Sequence, residues 1–146
     1  MGRWYRVVLE MDANDTFLVT APQFPEVTTF GDDQQDALDN GRRAIEEAIA
    51  ARIAAGDDIP VPLAKIARKG WFIELPVLAY LKAALYTICR DQGVSRAELA
   101  RRMHVHREQV DRLFRLDHNS RMDQVEAAFK AIDVPLRIDV PIPDAA

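Results

Sequence analysis

The chain has 146 residues, enough for one ordinary domain or two small ones, and its 49% apolar and 29% charged residues are those of a water-soluble globular protein. No apolar run is long enough to span a bilayer, and the N-terminus alternates apolar and charged residues where a leader peptide would have an unbroken apolar core. The expectation is a cytoplasmic protein with no membrane partner.

A formal net charge of −4 conceals an uneven division. Residues 1–75 hold 8 Lys and Arg against 13 Asp and Glu, a net of −5, while residues 76–146 hold 11 against 10, a net of +1. Between Arg90 and Arg121 there are eight Arg, so a weakly acidic whole carries a locally basic module. That split suggests two halves with different partners: a basic protein for the first, phosphate for the second.

From the start, Trp4 to Met11 and Thr16 to Thr20 are β-rich runs joined by the turn formers Asp12-Ala13-Asn14-Asp15, which predicts a hairpin. The Pro-bounded segment Pro22-Gln23-Phe24-Pro25 reads as a loop, and Val27 to Phe30 as a third strand. Gly31-Asp32-Asp33 then leads into a helix with an Asp as cap, an apolar stripe of Leu38, Gly41, Ile45, Ala48, Ile49 and Ile53, and Gly56 at its end. Past the Pro-rich exit Asp57 to Pro62, a fourth strand is expected at Trp71 to Leu75. The order of three strands, a helix and a strand defines an α+β unit with the helix on one face of a small antiparallel sheet.

Pro76 suits the first turn of the next helix, which carries Leu78, Leu81, Leu85 and Ile88 and stops at Gly93. The domain boundary is placed near Lys69 to Pro76, giving units 1–75 and 76–146. Cys89, the single cysteine, excludes an internal disulfide, and its place on a Leu- and Ile-rich helix points to packed core.

Ser95 to Leu116 has the spacing of a helix-turn-helix. Leu99, Ala100, Met103, Val105, Val110 and Leu113 form one inward face, with the small Ala100 where two helices would cross. Ser95 and Glu98 are spaced for a capping box. The second helix is expected to project Arg107, Glu108, Gln109, Asp111 and Arg112, and Arg and Gln can pair bidentately with guanine and adenine edges in a major groove. Arg96, Arg101 and Arg112 are candidate phosphate partners. The turn position often held by Gly is His104, and the N-cap often held by Ser or Thr is His106. Beyond it, Ser120 and Asp123 offer a second capping box, with Met122, Val125, Phe129 and Ile132 as a buried stripe. Leu136, Ile138 and Val140 alternate with Arg137 and Asp139 as a final strand. A lone strand beyond a helical module predicts pairing with the same strand of a second chain, in a homodimer or homotetramer.

The C-terminal part resembles the lambda-repressor-like helix-turn-helix, and nearly the whole chain resembles the HicB antitoxin family. The N-terminal likeness rests on the stretch from Ala21 to Pro62, with Gly31, Ala37, Ala44 and Pro60 where the family pattern expects them and Glu26 where it commonly has Gly. The resemblance implies a truncated RNase H-like N-terminal fold and an all-α C-terminal domain. It also implies two partners: a small HicA-like mRNA-cleaving toxin, occluded by the antitoxin, and operator double-stranded DNA upstream of the shared operon. DNA contacts are expected at Ser95, Arg96, Arg101, His106, Arg107, Glu108, Gln109 and Arg112. Toxin contacts are expected at Phe24, Glu26, Phe30, Asp32 and Asp33, although Phe24 could equally be core.

Signals for catalysis are weak. His104, His106 and His118 lack a completing set of ligands, and no phosphate loop or nucleophile elbow appears. No cofactor, metal or catalytic residue is expected. Asp32, Asp33, Asp36 and Asp39 could in principle serve a metal-dependent nuclease, but cap roles and a solvated helix face account for them better. A stand-alone transcriptional regulator with a ligand-sensing N-terminal domain is the other alternative to an antitoxin.

Overall fold

The computed structural model describes residues 2–144; residues 1, 145 and 146, the outermost ends of the two expected units, lie outside the described residues. Strands β1 (Trp4–Met11), β2 (Phe17–Ala21) and β3 (Phe24–Gly31) are followed by α1 (Gln34–Ala55) and β4 (Trp71–Glu74). Among the described residues four helices follow: α2 (Val77–Gln92), α3 (Arg96–Met103), α4 (Arg107–Leu113) and α5 (Met122–Ala131). The strands form one sheet in the order β3-β2-β1-β4, every neighbouring pair antiparallel.

The β1–β2 turn is organised by Asp12, whose carboxylate accepts from the backbone N–H groups of Asn14 and Thr16 and from the Thr16 hydroxyl. These bonds let Asp15 hold a left-handed φ of 60°. The next connection is tighter than expected. Only Pro22 and Gln23 lie between β2 and β3, with a register shift at Thr20 and Ala21 that sets Ala21 opposite Phe24. Pro25 therefore lies inside a strand, which is tolerated because β3 is at the sheet edge, where a missing N–H need not break a ladder bond.

Helix α1 covers one face of the sheet. Asp33 caps it by accepting from the Asp36 N–H at 2.8 Å, and Gly56 ends it at φ 74°. Its buried stripe is Ala37, Gly41, Ile45, Ala48, Ile49 and Ile53, and burying each Ile contributes roughly 1.5–3 kcal/mol. At Gly31 an added Cβ would lie 2.2 Å from the Ala37 nitrogen, so strand end and helix start can abut only over a glycine. Alternation sets Tyr5 and Val7 under the helix and leaves Trp4, Arg6, Val8 and Glu10 on the opposite face.

Helix α2 begins after Pro76, which serves as its N-cap, and ends at Gly93. It ties the two halves together. The Tyr86 hydroxyl donates to the Asp57 carbonyl at 2.7 Å, Arg90 pairs with Asp58 at 2.8 Å, and Gln92 donates to the Ile132 carbonyl at 3.1 Å. One continuous apolar core runs from the sheet through α2 into α3, α4 and α5.

Two C-terminal expectations need correction. Helix α5 is capped by Arg121 with no side-chain bond. The Ser120 hydroxyl is buried without a partner, and Asp123 turns to Arg121 at 2.8 Å and to the Gln124 N–H. The box fails because a cationic neighbour competes for the carboxylate. Met122 is 40% exposed and Ala128 takes the expected buried place. Leu136, Ile138 and Val140, expected to pair with a second chain, make no strand within this one: the described residues after α5 make no ladder bonds, and Ile138, Val140 and Ile142 stand 62–80% exposed. A strand exists only against a neighbouring backbone, and this segment has none within its own chain.

Candidate nucleic-acid interface

Helices α3 and α4 stand where the sequence reading put them. Ser95 caps α3 by accepting from the Glu98 N–H at 3.1 Å. The reciprocal half of the box is absent, because the Glu98 carboxylate is held by the Arg101 and Arg102 guanidiniums, which lower its pKa to about 2. Charge-assisted bonds outcompete a neutral backbone donor. His104 takes the left-handed turn at φ 56°, and its N–H and that of Val105 return to the carbonyls of Arg101 and Ala100. His106 stands extended as the N-cap of α4 with no side-chain bond. Leu99, Ala100, Val110 and Leu113 are buried between the helices and the core.

On the outer side, His106, Arg107, Glu108 and Arg112 are exposed, while Gln109 and Asp111 are half-buried. Asp111 brings two expected contacts together: Arg96 reaches it at 3.0 Å and Arg107 at 4.0 Å. Arg96 also lies 5.0 Å over the Phe114 ring, so its guanidinium has structural duties. Arg101 is 74% exposed but shares Glu98.

Sequence reasoning missed Lys82. It is 1% exposed, and its ammonium donates to the carbonyls of Arg112 at 3.0 Å, Arg115 at 2.6 Å and His118 at 2.6 Å. Burial pulls its pKa down to about 8, with Asp117 opposing that pull and Arg115 adding to it. A signal was present: Lys82 shares the helical stripe of Leu78, Leu85 and Cys89, where a charge has no reason to be unless it is paired.

In the acidic half, the expected contact residues are not equivalent. Phe24 is fully buried, edge-on to Tyr5 at 5.0 Å and beneath Arg52 at 5.1 Å, so its expected role as an exposed anchor is corrected to core. Glu26 is gripped by Arg52 at 2.8 and 3.1 Å, which holds its carboxyl below the usual range. Phe30 is 52% exposed at the end of β3, beside the exposed Asp32 and Asp33. Asp33 serves as the α1 cap, and Asp36 accepts from the Asp32 N–H at 2.9 Å. Cys89 is buried, its thiol pushed up to about 11 by desolvation. No helix among the described residues is long and apolar enough to cross a membrane.

These features define an α+β protein with an acidic, sheet-bearing half and an Arg-rich helical half. Residues 4–84 match the model of the HicB-like antitoxins of bacterial toxin–antitoxin systems, and the chain belongs to that family. It is similar to Antitoxin HicB of Pseudomonas fluorescens (strain Pf0-1), 34% identical over 78% of each chain. Antitoxin HicB of Escherichia coli (strain K12) is 27% identical over 92% of this chain and 96% of its own. Antitoxin HicB 2 of Photorhabdus laumondii is 28% identical over 94% and 98%.

Proposed function

We propose that this antitoxin binds and occludes a small HicA-like mRNA-cleaving toxin through its acidic N-terminal half, and represses its own operon through α3 and α4 acting as a helix-turn-helix. The observation that carries the DNA reading is the α3–α4 pair itself: a three-residue turn with His104 left-handed, a small Ala100 at the crossing, and Arg107 and Arg112 exposed on the second helix. The toxin reading rests on family membership and on the net of −5 in residues 1–75, which steers a cationic partner. Phe30, with Asp32 and Asp33 beside it, is the apolar anchor in this reading. In this reading the protein acts by binding, and the carboxylates of Asp33, Asp36 and Asp39 serve capping and helix-surface bonds. Two such chains, paired through Leu136, Ile138 and Val140, would present two α4 helices to two half-sites.

The test uses a duplex spanning the promoter upstream of the chain's own reading frame. Arg107→Ala and Gln109→Ala should each weaken binding by about 1–3 kcal/mol while leaving toxin neutralisation intact. In co-expression with the toxin, residues 1–75 should rescue growth and residues 76–146 should not. Undiminished promoter affinity in both variants would end the DNA reading, and rescue by the C-terminal fragment alone would reverse the division of labour.

A further inference from the structure

We propose that Lys82 is the positioning residue of α4: by holding the carbonyls of Arg112, Arg115 and His118 it fixes the C-terminal end of α4 on α2, and so makes the outward face of α4 answer to the segment that carries the family match. Its consequence for DNA rests on the helix-turn-helix reading above; its consequence for α4 does not.

The argument begins with donor counting. An ammonium has three N–H donors, and three carbonyls converge on this one at 2.6–3.0 Å, so every proton is placed and none is spare. The Arg112 carbonyl lies in the last turn of α4 and those of Arg115 and His118 in the connection beyond it; each also accepts a turn N–H, from Arg115, His118 and Ser120 respectively, so the ammonium takes the second lone pair of each oxygen near the negative end of the helix dipole. The charged groups facing the ammonium are Asp117, which favours the charge, and Arg115, which opposes it.

Helix α4 needs such a hold. At seven residues it is about two turns long, too short to be stable alone, and its N-cap His106 supplies no side-chain bond. Val110 and Leu113 anchor it from below, but apolar contacts are non-directional and permit sliding and rotation. Three directed bonds from one point do not. A second tie reinforces the same end: Tyr86, one turn along α2, meets Phe114 edge-to-face at 6.3 Å. Lys82 lies within the matched residues 4–84 and its acceptors lie outside them, so the link joins α2, where the family match ends, to the far end of α4 inside the helical half.

The experiment compares the full-length wild type with Lys82→Met, a side chain of similar length that has no donor, by hydrogen–deuterium exchange at neutral pH. Amides of residues 107–118 should exchange about tenfold faster or more in the variant, while those of β1–β3 and α1 keep their protection. Binding to the promoter duplex should weaken about tenfold, whereas Arg107→Ala should lose affinity without any change in exchange. Unaltered exchange at residues 107–118 overturns the proposal. Loosened exchange upholds it even where Arg107→Ala binds as the wild type does, a result that would remove the DNA reading alone. Should Lys82→Met fail to fold, NMR of the wild-type lysine ammonium groups decides: one of the four should be protected from exchange with water and show cross-peaks to residues 112–118, and four freely exchanging ammonium groups overturn the proposal.

Discussion

His104 holds φ 56° and ψ 43° although its side chain has a Cβ, a conformation that strains an L-residue by roughly 1–2 kcal/mol and a glycine hardly at all. Its imidazole is exposed, so its removal breaks no packing. His104→Gly should therefore raise stability, by about 0.5–1 kcal/mol after allowance for the greater freedom of glycine in the unfolded chain, and denaturant unfolding would show it. Gly31 presents the opposite case. A Cβ there would meet backbone atoms of Ala37 at 2.2 and 2.3 Å, and backbone cannot turn aside as a flexible side chain can. Gly31→Ala must push β3 and α1 apart, and a loss on the order of 3 kcal/mol, seen as a large fall in Tm, is the expected outcome.

At the scale of elements, the helices and the order of elements along the chain were legible in the sequence wherever apolar period and cap chemistry agreed. Asp33, Gly56, Gly93 and Ser95 end or begin helices as read, because each acts through its own backbone neighbourhood. What stayed hidden was what depends on tertiary competition. Glu98 and Asp123 each abandon a backbone donor for a nearby Arg, Phe24 disappears beneath Arg52, and Lys82 finds acceptors thirty or more residues away. None of these partnerships leaves a local pattern. The C-terminal segment is a mixed case: its alternation is real, but strand formation needs a second backbone. Deleting residues from Leu136 onward should convert a dimer or larger species into monomer without lowering the Tm of the remainder much, since Ile138, Val140 and Ile142 contribute little to the chain's own core. Sedimentation unchanged by the deletion would show that association, if any, runs through another surface.

For the whole molecule, the Lys82 ammonium makes stability depend on pH with a definite sign. Its folded pKa of about 8 lies below the ordinary 10.5, so as pH rises through 8 the folded chain releases a proton that the unfolded chain still binds, and stability from this group increases. The rise should be clear from pH ~7.5 to ~9, above which the Cys89 thiol and the tyrosines ionise in the unfolded chain while burial keeps Cys89 and Tyr5 protonated in the folded one, which pulls the other way. Lys82→Met should lack the rise, and a wild-type curve flat from pH ~7.5 to ~9 would contradict it. How that unfolding is observed matters, because the chain's two tryptophans, Trp4 on β1 and Trp71 on β4, both lie in the sheet and the helical half has none. Indole fluorescence is thus a private reporter of the first half, while circular dichroism at 222 nm sums over the helices, which among the described residues number five, four of them beyond Trp71. If the shared core and the α2 bonds to Asp57 and Asp58 make the halves melt as one, the two signals will trace a single transition; if the helical half lets go first, ellipticity will fall while the indoles still emit as in the folded protein.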